Sequence, residues 1–202
     1  RHRDQLVGNV VFMFQPGEEG HFGAKVMIDE GLLDRVPDLA AAFAIHINPQ
    51  FPPGLVASRP GSIMAAADIF QVTLKGKGGH ASMPHDAVDP VPVACEIVQA
   101  FQTLVTRRID AFDPVVLTVT QIEAGTTTNV IPESARLLGT LRSTSERSRE
   151  RAQEGIRRVA EQVAAAHQVE SDVVIVNGYP VTVNDAKFSA FARGVATELL
   201  GE

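Results

Sequence analysis

Apolar and polar residues alternate along this chain in two textures. Near its start, "NVVFMF" (9–14) and "LAAAFAIH" (39–46) are unbroken apolar runs of strand length, the pattern of strands buried on both faces of a parallel sheet. Between them, Ala24, Val26, Met27 and Ile28 supply the apolar side of a helix predicted over about 22–30, with Gly31 placed as its C-terminal cap. Strand, helix and strand in that order make a crossover unit of an α/β sheet, whose ligand sites lie beyond the carboxyl ends of the strands. The adjacent Glu18 and Glu19 sit at one such end, and His46 at the other.

From Asp68 the texture changes. In "DIFQVTLKG" (68–76), Phe70, Val72 and Leu74 alternate with Gln71, Thr73 and Lys75, as in a half-exposed strand. Helical spacing follows over 88–108, through Val91, Ala94, Ile97, Val98, Phe101, Leu104 and Val105. Two strands, 114–124 and 133–143, are joined by the polar turn "GTTTN". Ser143 and Glu146 have the spacing of a capping box for a helix over 146–167 whose buried face carries Ile156, Val159, Ala160 and Val163, and 170–180 reads as a last strand. The order βαββαβ is that of a ferredoxin-like two-layer unit. After Pro180 the chain returns to helix. The expected organisation is an α/β domain, 1–67 and 181–202, interrupted by an insert over 68–180. Two strands leave the edges of the outer sheet unaccounted for, so the chain reads as cut from something larger.

Composition narrows the function. Hydrophobic residues at 45% and charged residues at 21%, with a net charge of -6, describe a globular chain without a basic face, which argues against nucleic acid as a partner. No apolar stretch approaches the roughly 20 residues of a membrane span, and "RHRDQLVGNVVF" lacks the layout of a signal peptide, so a cytoplasmic location is expected. The single cysteine, Cys95, in "VACEIV", reads as a small core residue.

Three stretches carry candidate chemistry. In "FQPGEEG", one of two successive carboxylates can hold a cation while the other faces a water as base, although a glycine-framed acidic pair is also an ordinary solvated turn. His46 would complete an N/O ligand set for zinc, manganese or a related ion; a strand-end histidine is also a common hydrogen-bonded rim residue. In "KGKGGHASMPHDAVDPV" (75–91), His80 or His85 can donate to a developing oxyanion, or the stretch is a flexible loop whose Asp86 and Asp89 favour the next helix N-terminus. In "GTTTNVIP" (125–132) the Asn129 amide can hold a carboxylate or carbonyl, or simply form a turn, and Arg142 can clamp a carboxylate or stand exposed on its strand.

Taken in order, "FQPGEEG", "AFAIHINP", "KGKGGHASMPH…DP" and "GTTTNVIPESARLLGTLRS" resemble the M20 family of metal-dependent amidohydrolases and peptidases, above all its hippurate hydrolases, N-acyl-amino-acid amidohydrolases and auxin-conjugate hydrolases. The resemblance covers nearly the whole chain. It implies a catalytic α/β domain with two divalent ions, of the zinc, manganese, cobalt or nickel kind, interrupted by a lid through which the protein dimerises. It further implies Glu18 as general base toward the metal-bridging water, Glu19 and His46 as ligands, and His80 as the lid histidine that stabilises the tetrahedral intermediate. Asn129, Arg142 and His85 become substrate contacts. The implied reaction is hydrolysis of the amide bond of an N-acyl or N-aroyl amino acid; dipeptide cleavage, or a dimerisation module without a complete metal site, are the alternatives. The family's upstream Cys-Gly-His motif and its C-terminal histidine ligand do not appear, and Gly17 stands where this subgroup usually has alanine. The segment alone is therefore expected to be inactive.

Overall fold

Residues 9–14 and 39–46 do not form the strands their apolar runs predict: neither has regular secondary structure or a ladder neighbour among the described residues. A strand is held by hydrogen bonds to a neighbour, and an apolar pattern without one leaves the side chains in solvent. Phe14 and Ile45 are accordingly 85% and 94% exposed. These features come from a computed structural model that describes residues 3–201. Arg1, His2 and Glu202, which fall within the expected segments 1–67 and 181–202, lie outside it. The chain divides into one unit ending at Asn48 and a second beginning at Pro49.

In the first unit, helix α1 (Gly23–Asp29) occupies the expected place. Gly31, at φ 90°, ends it as foreseen: its N–H donates to the Ile28 carbonyl and that of Leu32 to Met27, a Schellman arrangement. The start of the helix depends on Gly23, where a Cβ would lie 1.5 Å from the Pro16 carbonyl oxygen.

The second unit holds strands β1 (Gly61–Met64), β2 (Ala66–Lys75) and β3 (Gly79–His80), helix α2 (Pro90–Arg108), strands β4 (Val115–Ala124), β5 (Val130–Ile131) and β6 (Ser134–Ser143), helix α3 (Glu146–Ala166), strands β7 (Glu170–Val176) and β8 (Thr182–Asn184), and helix α4 (Ala186–Leu200). β4, β6, β2 and β7 form, in that order, one antiparallel sheet. This is the ferredoxin-like arrangement that the βαββαβ order predicts. Phe70, Val72 and Leu74 from β2, with Leu137 and Leu141 from β6, point toward Ile97, Phe101 and Leu104 of α2 and Ile156 and Ala160 of α3. Phe70 and Phe101 meet edge to face, centroids 5.7 Å apart, and each such side chain contributes about 1.5–3 kcal/mol by leaving water. Two glycines permit this closeness. A Cβ at Gly139 would lie 2.3 Å from the Phe70 ring, and one at Gly155 would lie 2.5 Å from Leu104.

Four elements were not legible in the pattern. β1 pairs with β8, Gly61 opposite Asn184, and β3 pairs with β5, His80 opposite Val130. All four are two to four residues long, too short for periodicity to register.

Two expectations need correction. Ser143 does not cap α3: it is the last residue of β6, buried, with its hydroxyl unpartnered. The cap is Ser145, whose Oγ accepts from the Ser148 N–H at 3.0 Å and donates to Asp113 at 2.6 Å, so the cap lies two residues later than the capping-box spacing implies. Cys95 is exposed rather than in the core, because Val93, Ala94 and Ile97 define the inward face of α2 and Cys95 falls between them. By contrast Asp89, flagged for the helix N-terminus, caps α2 by accepting from the Val91 N–H at 2.9 Å.

Candidate functional site

The carboxylate pair follows segment 9–14 in a tight turn. The Gly20 N–H donates to the Glu18 carbonyl at 2.8 Å, and that of His21 to Gly17 at 3.2 Å. Gly17 and Gly20 have φ of 57° and 80°, values that favour glycine. At Gly17 an added Cβ would stand 2.8 Å from the His21 Cβ, so this turn is fitted to glycine where the resemblance leads one to expect alanine. Glu18, Glu19 and His46 are all exposed.

Glu19 and His46 are the oxygen and nitrogen donors a zinc-type ion prefers. Among the described residues, however, no three His, Cys, Asp or Glu side chains stand together as a metal site. The described residues do not make a complete cradle for a metal ion. Its contribution is limited to donors that need others beside them.

In the second unit the β3–β5 ladder brings two of the expected residues onto adjacent backbones. His80 lies opposite Val130, and the Ala81 N–H donates to the Asn129 carbonyl at 3.0 Å. The Ser82 N–H reaches the His80 Nδ1 at 3.2 Å, and the Ser82 Oγ lies 2.8 Å from the same atom. The Thr127 hydroxyl donates to the Asn129 Oδ1 at 3.0 Å. His85 sits nearby in sequence, in the short turn Pro84–Asp86, with its imidazole 3.9 Å from the Asp86 carboxylate. A depression of about 510 Å3 beside this loop is lined by Asp89, the three threonines 126–128 and Pro132.

Arg142 does not join them. It lies near the far end of β6, opposite Val116 and Ala67, whereas the loop carrying Asn129 feeds into Ser134 at the near end. The eight-residue offset from Ser134 corresponds to roughly 27 Å of strand.

A buried ion pair was missed in the sequence. Asp68 is fully buried. Burial pushes its carboxyl up, but hydrogen bonds from Arg149, the Gly178 N–H and Gln153, with the Arg149 charge, outweigh this and hold it below the usual carboxylate range. Arg149 donates to both Asp68 oxygens, at 2.6 and 2.9 Å, and also to Glu146 and the Gly178 carbonyl. Its guanidinium is correspondingly held even more firmly protonated. The cluster ties β2 and α3 to the segment leaving β7, where a Cβ at Gly178 would lie 1.8 Å from the Ala67 carbonyl oxygen. A signal was present: Asp68 and Arg149 each occupy an inward phase of an otherwise apolar pattern, and buried charges come in pairs.

Residues 67–168 match the peptidase dimerisation domain of the M20 family. Over 199 residues the chain is 36% identical to N-acetylcysteine deacetylase of Bacillus subtilis, covering 98% of this chain and 52% of that protein. It is 40% identical over 205 residues to IAA-amino acid hydrolase ILR1-like 2 of Arabidopsis thaliana, covering 100% of this chain and 46% of the other. Among solved structures, a Bacillus subtilis protein described as a dinuclear metal-binding peptidase superposes with a TM-score of 0.73 at 31% identity, over 92% of this chain and 46% of that one. The chain thus spans about half the length of the curated relatives it matches. With the dimerisation domain, the ferredoxin-like sheet and these hydrolase relatives in agreement, the chain belongs to the M20 family of metal-dependent amidohydrolases and peptidases.

Proposed function

We propose that the full-length protein hydrolyses the amide bond of an N-acyl or N-aroyl amino acid. The observation that carries this reading is that relatives matching essentially the whole chain include an N-acetylcysteine deacetylase and an IAA-amino acid hydrolase. Two divalent ions, when bound, would polarise the scissile carbonyl and lower the pKa of water. Since this chain supplies at most Glu19 and His46 toward them, the remaining ligands are assigned to sequence that the longer relatives carry in addition. The segment by itself is inactive on this reading.

The chain's own residues take the following parts. Glu18, exposed at the turn, accepts a proton from the attacking water and passes it to the leaving amine. His80 donates a hydrogen bond to the oxyanion of the tetrahedral intermediate, an interaction worth about 3 kcal/mol of barrier. Asn129 and His85 contact substrate, and Arg142 pairs with its carboxylate. Because Arg142 and the His80 loop lie at opposite ends of the sheet, one substrate can touch both only if they come from two protomers. That supports a homodimer formed through the 68–180 unit, within the 1–67, 68–180 and 181–202 organisation read from the sequence.

The test is turnover of N-acetyl, N-benzoyl and N-indoleacetyl amino acids by the full-length protein with added manganese or zinc. Glu18→Gln is expected to lower kcat by about 10²–10⁴ while sparing metal content. Undiminished kcat in that variant removes Glu18 from the role of base. Turnover by the 202-residue chain alone would refute the incomplete site.

A further inference from the structure

His80 ends β3 and its ring folds back over the turn that follows, a turn closed by the Met83 N–H donating to the His80 carbonyl at 2.8 Å. Two groups of one residue meet the ring there: the Ser82 N–H at 3.2 Å and the Ser82 Oγ at 2.8 Å, both on Nδ1. A backbone N–H can only donate, so Nδ1 must be the acceptor. A neutral imidazole that accepts at Nδ1 carries its proton on Nε2. The Ser82 hydroxyl, facing the same lone pair, donates as well.

We infer that Ser82 is a positioning residue which holds the His80 ring against its own turn and fixes it as an Nε2–H donor rather than as a base. The inference rests on the reading of His80 as oxyanion stabiliser given above, and deepens it by naming what sets the donor. The Asn129 loop repeats the device. The Thr127 hydroxyl, two residues away, donates to Oδ1 and leaves the amide Nδ2 as the outward group. His80 and Asn129 therefore each offer N–H, not a lone pair. Such groups suit carboxylate, acyl oxygen or oxyanion, and do not suit the free ammonium of an unblocked dipeptide.

Ring nitrogens report this directly. Long-range proton–nitrogen correlation spectra of the 15N-histidine-labelled chain, in alkaline buffer where imidazoles are neutral, should show His80 with a protonated Nε2 and a hydrogen-bonded, unprotonated Nδ1. Ser82→Ala should shift the Nδ1 resonance alone, and Ser82→Thr should restore it. A proton on Nδ1, or an Nδ1 resonance unmoved by Ser82→Ala, overturns the assignment. In the full-length enzyme Ser82→Ala keeps the backbone donor and loses only the hydroxyl. It should lower kcat about three- to tenfold at unchanged KM, with Ser82→Thr recovering most of the loss. If kcat does not change, Ser82 has no part in positioning for the reaction. Full activity in His80→Ala, with the ring spectra as expected, would instead sink the oxyanion reading and leave the tautomer standing, so the two failures can be told apart.

Discussion

Phe14 ends an unbroken apolar run and Phe70 belongs to an alternating one, yet the first is 85% exposed and the second fully buried. Around Phe70 the chain supplies everything the strand requires: β6 and β7 on its two edges and the α2–α3 layer over its inner face. Around Phe14 the described residues supply neither a ladder nor a cover. Hydrophobic periodicity specifies which surface requires burial, and the partner that buries it is a separate fact. The two regions test that distinction.

The largest effect is expected at the buried ion pair. Asp68→Ala leaves Arg149 buried without its carboxylate and should destabilise the second unit by about 3–5 kcal/mol, measured by urea unfolding followed with a probe confined to that unit. The pH dependence has a definite sign. The carboxyl's pKa in the folded unit is below its unfolded value, so its contribution is present above the unfolded value, near pH 4, and disappears as pH falls through the lower folded value. The wild type should therefore lose stability in acid more steeply than Asp68→Asn, and equal slopes would count against this assignment.

Next comes Gly139→Ala, which drives a methyl into the Phe70 ring and the Thr118 carbonyl and should cost about 1–3 kcal/mol in the same unfolding measurement. Ser145→Ala should cost about 1 kcal/mol through loss of the α3 cap, whereas Ser143→Ala removes an unsatisfied buried hydroxyl and should be neutral or stabilising. The reverse ranking would restore the cap to Ser143. The smallest effect is on the other side of the comparison. Phe12→Ser with Phe14→Ser should change the unfolding free energy of the chain by less than about 0.5 kcal/mol and reduce binding of a hydrophobic dye. A large loss of stability would show these residues to be packed after all.

How much of this was legible follows the same physics. The ferredoxin-like unit could be read element by element because each strand and helix finds its partners within about a hundred residues of sequence. The turn at Glu18–Glu19, α1 and the Gly31 cap were legible because they are local. The 9–14 and 39–46 ladders were misjudged because pairing is not local. Cys95 was misplaced by a single helical position. Within the site, the proximity of His80 and Asn129 depends on a two-residue ladder, too short to leave a periodic trace, and the separation of Arg142 follows only from strand register. Asp68 and Arg149 escaped because each was read on its own element, while what gives them meaning is that their inward phases coincide.

The β1–β8 pairing has one more consequence. Placing Gly61 opposite Asn184 in an antiparallel ladder brings the two points where the chain joins this fold to within about 5 Å. Everything from 61 to 184 is therefore a loop closed at its own neck, and the Asp68 cluster lies just inside that neck. A module whose two ends meet can be spliced into a surface turn of another protein without prying the host apart, or deleted and the gap rejoined with a short linker. The fold thus has the geometry of a transferable cassette, with the ion pair as its clasp.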